Sequence, residues 1–240
     1  MFNRVIVAVA GNSNSGKTTA IEALIKGLTK RGYTIASAKH IPNHPEFTID
    51  TEGKDTWRYA KAGASSVLSV APKELTAIKK VDTTEYSLEQ IVAETPDEAD
   101  IIILEGFKGL VEQDSSIPKL VTAKTVNEII TAPELYKNIL AFLTSIPDGK
   151  VETEILCVDA QKEPEKLVDL VTNKVAVLVE KKRKREEKIT IQIDEKFVPL
   201  GDFVQDIIRN AVLAMVSSLK GAKIKGEEKV SIVIKRLSRG

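Results

Sequence analysis

The chain has 240 residues, of which 42% are hydrophobic and 29% are charged, an ordinary composition for a globular protein. Its formal net charge of +1 gives no support for a nucleic-acid-binding surface, and its single cysteine excludes an internal disulfide framework. The N-terminus lacks the features of a signal peptide, and no apolar run reaches the ~18 residues that a membrane helix needs. We therefore expect a soluble, cytoplasmic protein that binds neither membrane nor nucleic acid.

The first predicted elements are a strand, a glycine-containing loop and a helix. Residues 5–10 form a continuous apolar run, which is typical of a strand buried on both faces of a parallel sheet. Apolar residues then recur at helical spacing up to Leu28, and Gly32 ends the predicted helix. Between strand and helix, the segment from Gly11 to Thr18 matches the pattern G-x-x-x-x-G-K-[ST]. In this context the pattern predicts a phosphate-binding loop (P-loop) for a nucleoside triphosphate.

The residue types of the P-loop suit phosphate chemistry. Successive backbone N–H groups can form an anion-binding nest, and we expect side chains at Gly11 and Gly16 to obstruct its turn. The N-terminus of the following helix adds partial positive charge. Lys17 can reach the β- and γ-phosphates, and the hydroxyl of Thr18 can bind Mg²⁺. The predicted nucleotide contacts are Gly11, Asn12, Ser13, Asn14, Ser15, Gly16, Lys17, Thr18 and Thr19.

Further candidates come directly after two predicted strands, because a parallel sheet collects ligand-binding loops at the carboxyl ends of its strands. Lys39 and His40 follow the second predicted strand, and Glu105 and Lys108 follow a later apolar run. We predict nucleotide contacts for Lys39, His40 and Lys108. Glu105 is predicted to hold magnesium or its water shell. Asp100, at the other end of the same run, is expected to face the opposite rim of the sheet.

The segment 39–64 contains both histidines and the only tryptophan, and its prolines and glycine make its first half irregular. Asp50 and Asp55 are predicted to approach the γ-phosphate through magnesium-bound water. Pro42 lies between the two histidines and prevents the helix that would align them, so substrate contact by His40 is favoured over zinc binding. The aromatic residues Trp57 and Tyr59 are expected to serve packing rather than base stacking.

In these motifs the chain resembles the MobB family of molybdopterin-guanine dinucleotide biosynthesis adaptor proteins. The resemblance rests on the P-loop, on "KHIPNHPEFTIDTEGKDTWRYAKAGA", on "DIIILEGFKG" and on "IPK". It extends from about residue 3 to about residue 124 and becomes loose up to about residue 180. It implies an α/β P-loop NTPase fold, binding of GTP and Mg²⁺, weak GTPase activity and a homodimer.

The resemblance also implies a partner and a set of site residues. The partner is the molybdopterin guanylyltransferase, which attaches GMP to molybdopterin carrying molybdenum or tungsten. We predict Lys17, Asp55 and Glu105 as catalytic residues, and Thr18, Asp50 and Glu105 as magnesium ligands. The family's other positions fall on Lys39, His40, Lys54, Gly106, Lys108, Pro118 and Lys119.

The chain departs from simple GTPase patterns, and this leaves alternatives open. It has no N-K-x-D motif for guanine, so GTP over ATP rests on the resemblance, with Asp148 as a hypothetical guanine contact. The strand after "IPK" is less basic than the family pattern. One alternative is a small-molecule kinase with Asp55 or Asp50 as general base. A nickel-type metallochaperone, which the few Cys and His residues disfavour, and a nucleotide-binding scaffold without turnover are the others.

The predicted elements alternate between strand and helix through residue 180, which indicates a mainly parallel sheet with helices on both faces. Predicted strands cover 5–10, 33–38, 66–71, 100–104, 119–123, 139–144 and 154–158, and predicted helices cover 17–31, 54–63, 87–94, 126–136 and 163–180.

The predicted domain organisation is a P-loop domain at 1–180, a charged linker at 181–188 and a small α+β domain at 189–240. The last part has the pattern of a hairpin, one helix and a third strand around 230–234. Its apolar helix face is wide for so small a unit. We expect this domain to dock on the P-loop domain, on a dimer mate or on a partner enzyme.

Overall fold

A computed structural model describes residues 4–42, 44, 46–147, 150–186, 191–193, 196–198 and 200–219. The predicted guanine contact Asp148 and the predicted strand at 230–234 lie outside these described residues. The chain forms two compact units, Met1–Lys182 and Arg183–Gly240. The division into a P-loop domain, a charged linker and a small C-terminal domain, with boundaries at 180 and 188, stays a prediction.

The elements alternate along most of the chain. The strands are β1 (Val5–Ala10), β2 (Ile35–Lys39), β3 (Ser66–Ala71), β4 (Glu74–Lys79), β5 (Ile101–Glu105), β6 (Lys119–Thr122), β7 (Ile139–Leu143), β8 (Cys157–Val158), β9 (Ile191–Ile193) and β10 (Lys196–Val198). The helices are α1 (Lys17–Lys30), α2 (Asp55–Lys61), α3 (Leu88–Ala93), α4 (Lys108–Val111), α5 (Val126–Leu135), α6 (Pro164–Glu186) and α7 (Asp202–Ser217).

The first unit is built on a six-stranded parallel sheet in the order β2-β5-β1-β6-β7-β8. Strand β1 is central and every one of its residues is buried. Its alternate side chains enter two cores, with Val7 on the side of α1 and α6 and Ala8 on the side of α3 and α4. The predicted α/β class, with a mainly parallel sheet and helices on both faces, is confirmed.

Helix α1, which follows the P-loop, packs closely on α6. A Cβ atom at Gly27 would lie 2.4 Å from Cγ2 of Val168, so the backbone of α1 is in direct contact with the Val168 side chain of α6. Leu24 and Leu28 of α1 are fully buried in the same core. This packing holds α1, the helix that begins at the P-loop, against α6 and the core of the sheet.

One predicted strand is not part of the parallel sheet. Strand β3 pairs with β4, which lies outside the predicted strands, in a separate antiparallel hairpin. The connection consists of Pro72 and Lys73 alone, and two residues suffice for an antiparallel pair but not for a parallel crossover. The single-turn helix α4 was also not predicted.

The end of α6 and the second unit differ in detail from the predictions. Helix α6 continues through Glu186, six residues past its predicted end at 180, because its Lys, Arg and Glu residues are good helix formers. The predicted hairpin and helix of the tail are present as β9, β10 and α7. Large apolar side chains of α7, including Phe203, Ile207 and Met215, are exposed. No helix among the described residues combines the length and apolar character needed to cross a bilayer.

Candidate functional site

The P-loop lies between β1 and α1 and contains three residues with positive φ. These are Gly11 at 134°, Asn14 at 57° and Gly16 at 90°, and Gly16 is the N-cap of α1. Left-handed backbone is adopted readily by Gly and tolerated by Asn. The chain therefore curls from the end of β1 into the N-terminus of α1, where unpaired N–H groups and the helix dipole favour an anion.

The two glycines of the P-loop are required for different reasons. A Cβ atom at Gly11 would lie 2.0 Å from Oγ1 and 2.7 Å from the carbonyl oxygen of Thr122, so β6 leaves no room for a side chain. A Cβ atom at Gly16 would meet nothing within 4 Å. The expectation that a side chain at Gly16 would obstruct the turn is wrong; the requirement there is the positive φ.

Lys17 folds back across the P-loop. Its Nζ atom donates hydrogen bonds of 2.6 Å to the carbonyl oxygen of Asn12 and 3.3 Å to that of Gly11. Burial lowers the pKa of Lys17 from its ordinary value of 10.5; Glu105 acts to raise it, and Lys108 and Lys39 act to lower it. These electrostatic effects place the three residues around the Lys17 ammonium.

The ends of β2 and β5 supply the neighbours of Lys17. Lys39 and Glu105 are paired in the parallel register, and their side chains form an ion pair of 3.3 Å. The same register places Glu105 opposite Val9, two residues before the P-loop. Because these strands are adjacent and parallel, their carboxyl ends collect one carboxylate and three lysines at one edge of the sheet.

The turn after β5 joins this edge to His40. Gly106 and Phe107 both have positive φ, at 84° and 54°, and Phe107 is the N-cap of α4, whose first residue is Lys108. The Phe107 ring stacks on His40, with centroids 5.1 Å apart and planes inclined by 20°. The His40 N–H donates a 3.0 Å hydrogen bond to the carbonyl oxygen of Glu105. Phe107 was missed as a site residue because a buried aromatic residue gives no signal beyond its hydrophobicity.

The other P-loop residues that were predicted to contact the nucleotide differ in how exposed their side chains are. The side chains of Ser13, Asn14 and Thr18 are on the exposed rim, whereas Ser15 and Thr19 are half-buried. The Ser15 hydroxyl donates 2.6 Å to the carbonyl oxygen of Asn12.

Two residues outside the predicted set hold the P-loop. The Thr122 hydroxyl lies 2.5 Å from the Ser15 hydroxyl and donates a 3.0 Å hydrogen bond to the carbonyl oxygen of Ala10. Glu128, in the first turn of α5, accepts from the Asn12 side chain. The T-x-x-E pattern of Thr125 and Glu128 is a capping-box signal that the sequence offered, although its link to the P-loop was not visible there.

A cavity of about 530 Å³ adjoins the P-loop. Its walls are Ser15, Gly16 and Thr19 together with residues that follow β6, β7 and β8, among them Thr122, Lys124, Thr144, Ser145, Asp159 and Gln161. This size and position suit the base and sugar of a nucleotide whose phosphates lie at the P-loop.

Among the described residues, Asp159 is the carboxylate that lines this cavity. Burial acts to raise its pKa, but hydrogen bonds from the N–H groups of Lys162 and Gln161 and from the Ser145 hydroxyl hold the pKa below its ordinary value of 3.8. Asp159 is therefore an anionic acceptor in the cavity at neutral pH.

Asp50 and Asp55 lie apart from the P-loop contacts described above. Asp55 begins α2 and pairs with Arg58 at 3.8 Å, with 78% of its side chain exposed. Asp50 lines a second cavity beside Trp57. Among the described residues, no hydrogen bond or ion pair joins either carboxylate to Lys17. The predicted roles of Asp50 and Asp55 stay predictions.

Other expectations for this part of the sequence can be compared directly. Asp100 is buried directly before β5, at the opposite end of this strand from Glu105, and it accepts a 2.8 Å hydrogen bond from the N–H of Thr34. Its expected position at the opposite rim of the sheet, in a structural role, is confirmed. Tyr59 is 58% exposed, so the packing role expected for it is wrong. Among the described residues no group of three or more His, Cys, Asp or Glu side chains can hold a metal ion.

The family position Lys119 is fully buried in β6. Its ammonium donates hydrogen bonds of 2.6 Å to the carbonyl oxygen of Asp114 and 2.9 Å to that of Ile117. Burial lowers its pKa, which Asp114 acts to raise. Lys119 thus holds the turn before β6 rather than lining the nucleotide cavity.

Comparison with known proteins identifies the family. The model of the family described as "Molybdopterin guanine dinucleotide synthesis protein B" (MobB) matches residues 6–145. The chain belongs to the MobB family. The resemblance found in its sequence motifs is confirmed.

Curated MobB relatives are similar over most of their length. A molybdopterin-guanine dinucleotide biosynthesis adapter protein of Haemophilus influenzae is 30% identical over 175 residues, which cover 72% of this chain and 91% of the relative. A putative adapter protein of Methanocaldococcus jannaschii is 28% identical over 247 residues, covering 97% of this chain and 99% of the relative. The second match therefore includes the C-terminal extension.

Solved MobB structures share the fold of the first unit. The crystal structure of Bacillus subtilis MobB superposes with a TM-score of 0.55 at 25% identity, covering 69% of this chain and 97% of that one. A MobB homologue from Bacillus stearothermophilus gives a TM-score of 0.53 at 20% identity, with 73% and 99% covered.

Proposed function

We propose that this chain is a GTP-binding accessory protein of molybdenum or tungsten cofactor biosynthesis, which assists the attachment of GMP to molybdopterin. Membership of the MobB family and the names of its relatives, which are molybdopterin-guanine dinucleotide biosynthesis adapter proteins, support the pathway. The observation that carries nucleotide binding is the Lys17 ammonium held across a P-loop at the N-terminus of α1, beside Glu105.

The residues around Lys17 suit a triphosphate. Lys17 exchanges its carbonyl contacts in the P-loop for phosphate oxygens, and the neighbouring ammonium groups of Lys39 and Lys108 offset the remaining negative charge. The hydroxyl of Thr18 and the carboxylate of Glu105 are oxygen donors of the kind that Mg²⁺ prefers, and they would hold an ion that neutralises charge on the phosphates. Backbone N–H groups of the P-loop orient the phosphate chain.

Turnover is proposed to be slow. Glu105 is the carboxylate beside Lys17, and its side chain is already engaged in a 3.3 Å ion pair with Lys39. Of the two predicted kinase bases, Asp55 is exposed and paired with Arg58, and Asp50 lines the second cavity. These contacts favour an accessory role over the kinase alternative.

The cavity beside the P-loop is proposed to select guanine. The Asp159 carboxylate accepts from the N–H groups of Gln161 and Lys162 and from the Ser145 hydroxyl, and it pairs with the Lys162 ammonium at 3.5 Å. A carboxylate can accept both the ring N–H and the amino group of guanine, which would here replace the contacts with the Ser145 hydroxyl and the Lys162 ammonium. Adenine offers no such pair of donors on the corresponding edge.

Calorimetric titration of the full chain with GTP and with ATP, each with Mg²⁺, tests the nucleotide proposal. We expect tighter binding of GTP, slow phosphate release and a loss of affinity of at least 100-fold in Lys17→Ala. Lys30→Ala, at the exposed end of α1, is the matched control and is expected to bind normally. Equal affinity of Lys17→Ala and Lys30→Ala would exclude the proposed site.

Co-purification with molybdopterin guanylyltransferase tests the place in the pathway. We expect the two purified proteins to form a complex in size-exclusion chromatography with GTP present. Absence of a complex and of any effect on guanylyltransferase turnover would leave a GTP-binding protein without the proposed partner.

The proposed homodimer is supported by the β3–β4 hairpin. One face carries the cross-strand pair Val70 and Leu75, which are 74% and 67% exposed, and the adjacent Leu68, which is 58% exposed. A contiguous apolar sheet face of this kind is costly in water. We expect Val70→Glu to convert a dimer to a monomer in sedimentation velocity, and Ser69→Glu, with the same charge change on the opposite face, to remain dimeric.

A further inference from the structure

The second cavity of the first unit lies between the loop after β2, helix α2 and strand β4. Its volume is about 470 Å³, and its lining is Glu46, Thr48, Asp50, Glu52, Trp57, Ala60, Lys61, Ile78 and Lys80. No described residue lines both this cavity and the one beside the P-loop. The nucleotide site proposed above therefore makes no use of it.

Asp50 carries an unsatisfied acceptor in this cavity. Its Oδ2 atom is buried and finds no hydrogen-bond partner in the described part of the chain. Its Oδ1 atom accepts 2.8 Å from the N–H of Thr51, which leaves that oxygen a second lone pair. A buried carboxylate oxygen without a donor is costly, so a ligand N–H group that reached Oδ2 after a small rotation of the Asp50 side chain would stabilise it.

Trp57 places a large planar surface in the same cavity. The indole is half-buried on α2, and Nζ of Lys61 lies 5.5 Å from its ring centroid. A second ammonium, that of Lys80, also lines the cavity. An indole face, an acceptor and two cations together suit a planar ring with N–H donors and an anionic substituent.

A divalent cation fits this cavity less well than an organic ring. Although three carboxylates line it, no group of three His, Cys, Asp or Glu side chains within the described ranges is arranged to hold a metal. The free acceptor of Asp50 therefore requires an N–H or O–H donor.

We infer that this cavity binds a planar heterocycle whose edge carries a ring N–H next to an amino group, the edge that pterins and guanine share. In this arrangement the Asp50 carboxylate accepts both N–H groups while the ring packs on Trp57. Lys61 and Lys80 offset the charge of a phosphate substituent. The inference rests on the proposed function, because assisting the union of a molybdopterin with GMP brings the protein into contact with both rings.

The single tryptophan makes the cavity directly observable, since Trp57 is the only tryptophan of the 240 residues. We propose to titrate the full chain with pterin and, separately, with GMP, while measuring Trp57 emission corrected with free tryptophan. We expect saturable quenching by at least one probe. Asp50→Asn is expected to weaken that binding about ten- to hundredfold, as for loss of a charged hydrogen-bond acceptor.

Matched variants separate this cavity from the P-loop and from general charge effects. Glu52→Gln makes the same charge change in the same cavity at an exposed side chain and is expected to bind within about twofold of wild type. Lys17→Ala, which removes P-loop binding, is expected to bind the probe normally. If Asp50→Asn is poorly folded by circular dichroism, Trp57→Phe, measured by calorimetry, is expected to weaken binding about threefold or more.

The outcomes are distinct. Asp50-dependent binding of pterin assigns the cavity to the pterin ring, and Asp50-dependent binding of GMP in the Lys17→Ala background assigns it to guanine. Binding of neither probe, or equal losses in Asp50→Asn and Glu52→Gln, overturns the inference. If GTP binding at the P-loop is intact in the same preparation, that failure leaves the proposed function standing.

Discussion

The Asn12 side chain donates a 2.7 Å hydrogen bond to Glu128, 116 residues later in the chain. The other carboxylate oxygen of Glu128 accepts from the N–H groups of Lys124 and Thr125 at 2.6 and 3.1 Å. One carboxylate thus caps α5 and anchors the tip of the P-loop. The P-loop conformation therefore depends on a helix that supplies no phosphate contact in the proposed site.

Glu128→Gln should weaken this anchor. The NH₂ group of the glutamine side chain cannot accept a hydrogen bond, and it will face at least one of the three donors, which are the Asn12 side chain and the N–H groups of Lys124 and Thr125. We expect about 1 kcal/mol of lost stability in denaturant unfolding and about fivefold weaker GTP binding. Glu134→Gln, exposed on the same helix, is the control. Unchanged GTP affinity in Glu128→Gln would separate the cap from the P-loop.

The same pair gives a pH prediction. Hydrogen bonds from Lys124 foremost, and from Asn12, lower the pKa of Glu128 from its ordinary value of 4.5, against the effect of burial. A carboxyl group whose pKa is lowered in the folded state contributes its full stabilisation at pH values above its ordinary pKa. This stabilisation is lost as the pH falls through the lowered pKa. The stability difference between wild type and Glu128→Gln should be constant at neutral pH and shrink below pH 4.5.

Alanine substitutions should distinguish the two P-loop glycines. Gly11→Ala should cost about 3 kcal/mol or more, since overlap with Thr122 adds to the strain of positive φ. Gly16→Ala meets no atom and should cost about 1–2 kcal/mol from φ alone. Thermal unfolding of both variants measures the difference. A Thr122→Ala background should rescue Gly11→Ala only in part, because the carbonyl contact remains.

Glu105→Gln should impair catalysis more than binding. We expect magnesium-dependent GTP hydrolysis to fall at least tenfold and GTP affinity to change by less than about threefold, because the amide retains the shape but not the charge. Phosphate release and calorimetry measure the two quantities. Glu98→Gln, exposed before β5, is the control, and hydrolysis equal to wild type would reject the assigned role.

The pH dependence of GTP binding should report Lys17. Its pKa in the free protein is lowered from 10.5, chiefly by burial, so a fraction of Lys17 loses its proton at a lower pH than an ordinary lysine does. Phosphate binding favours the protonated form, so GTP affinity should fall as the pH rises through the lowered pKa. Because Glu105 acts to raise this pKa, the fall should begin at a lower pH in Glu105→Gln.

Asp159→Asn should alter the choice of base. We expect GTP affinity to fall about tenfold and ATP affinity to stay constant, since the amide cannot accept both guanine N–H groups. Glu154→Gln, exposed before β8, is the matched control. Equal loss for the two nucleotides would show that Asp159 supports the cavity wall without reading the base.

Local signals in the sequence were sufficient for the P-loop and for the central strands. The apolar run of β1 and the glycine spacing act over a few residues, and so the predicted strand at 5–10 agrees with the structure. The position of Lys39 and Glu105 at one edge of the sheet was also predicted, from the rule that parallel strands end at one edge, whereas their ion pair was not.

Long-range contacts account for what the sequence did not predict. The link from Asn12 to Glu128 and the overlap of Gly11 with Thr122 join residues more than 100 positions apart. The hairpin of β3 and β4 was missed because exposed strands on a small sheet lack the apolar run of the central ones. Asp50 was predicted from its acidity and from the family resemblance, neither of which reveals the separate cavity that it lines.

The contact between Gly27 and Val168 has a mechanical consequence. Helix α1 begins at the P-loop and meets α6 with no space between them, so α1 cannot slide or tilt toward α6 unless α6 gives way. Any rearrangement of the P-loop that pushes α1 in this direction on nucleotide binding or release is therefore passed to a helix of 23 residues. The packing of α6 on α1 thus limits how far α1 can move when the conformation of the P-loop changes.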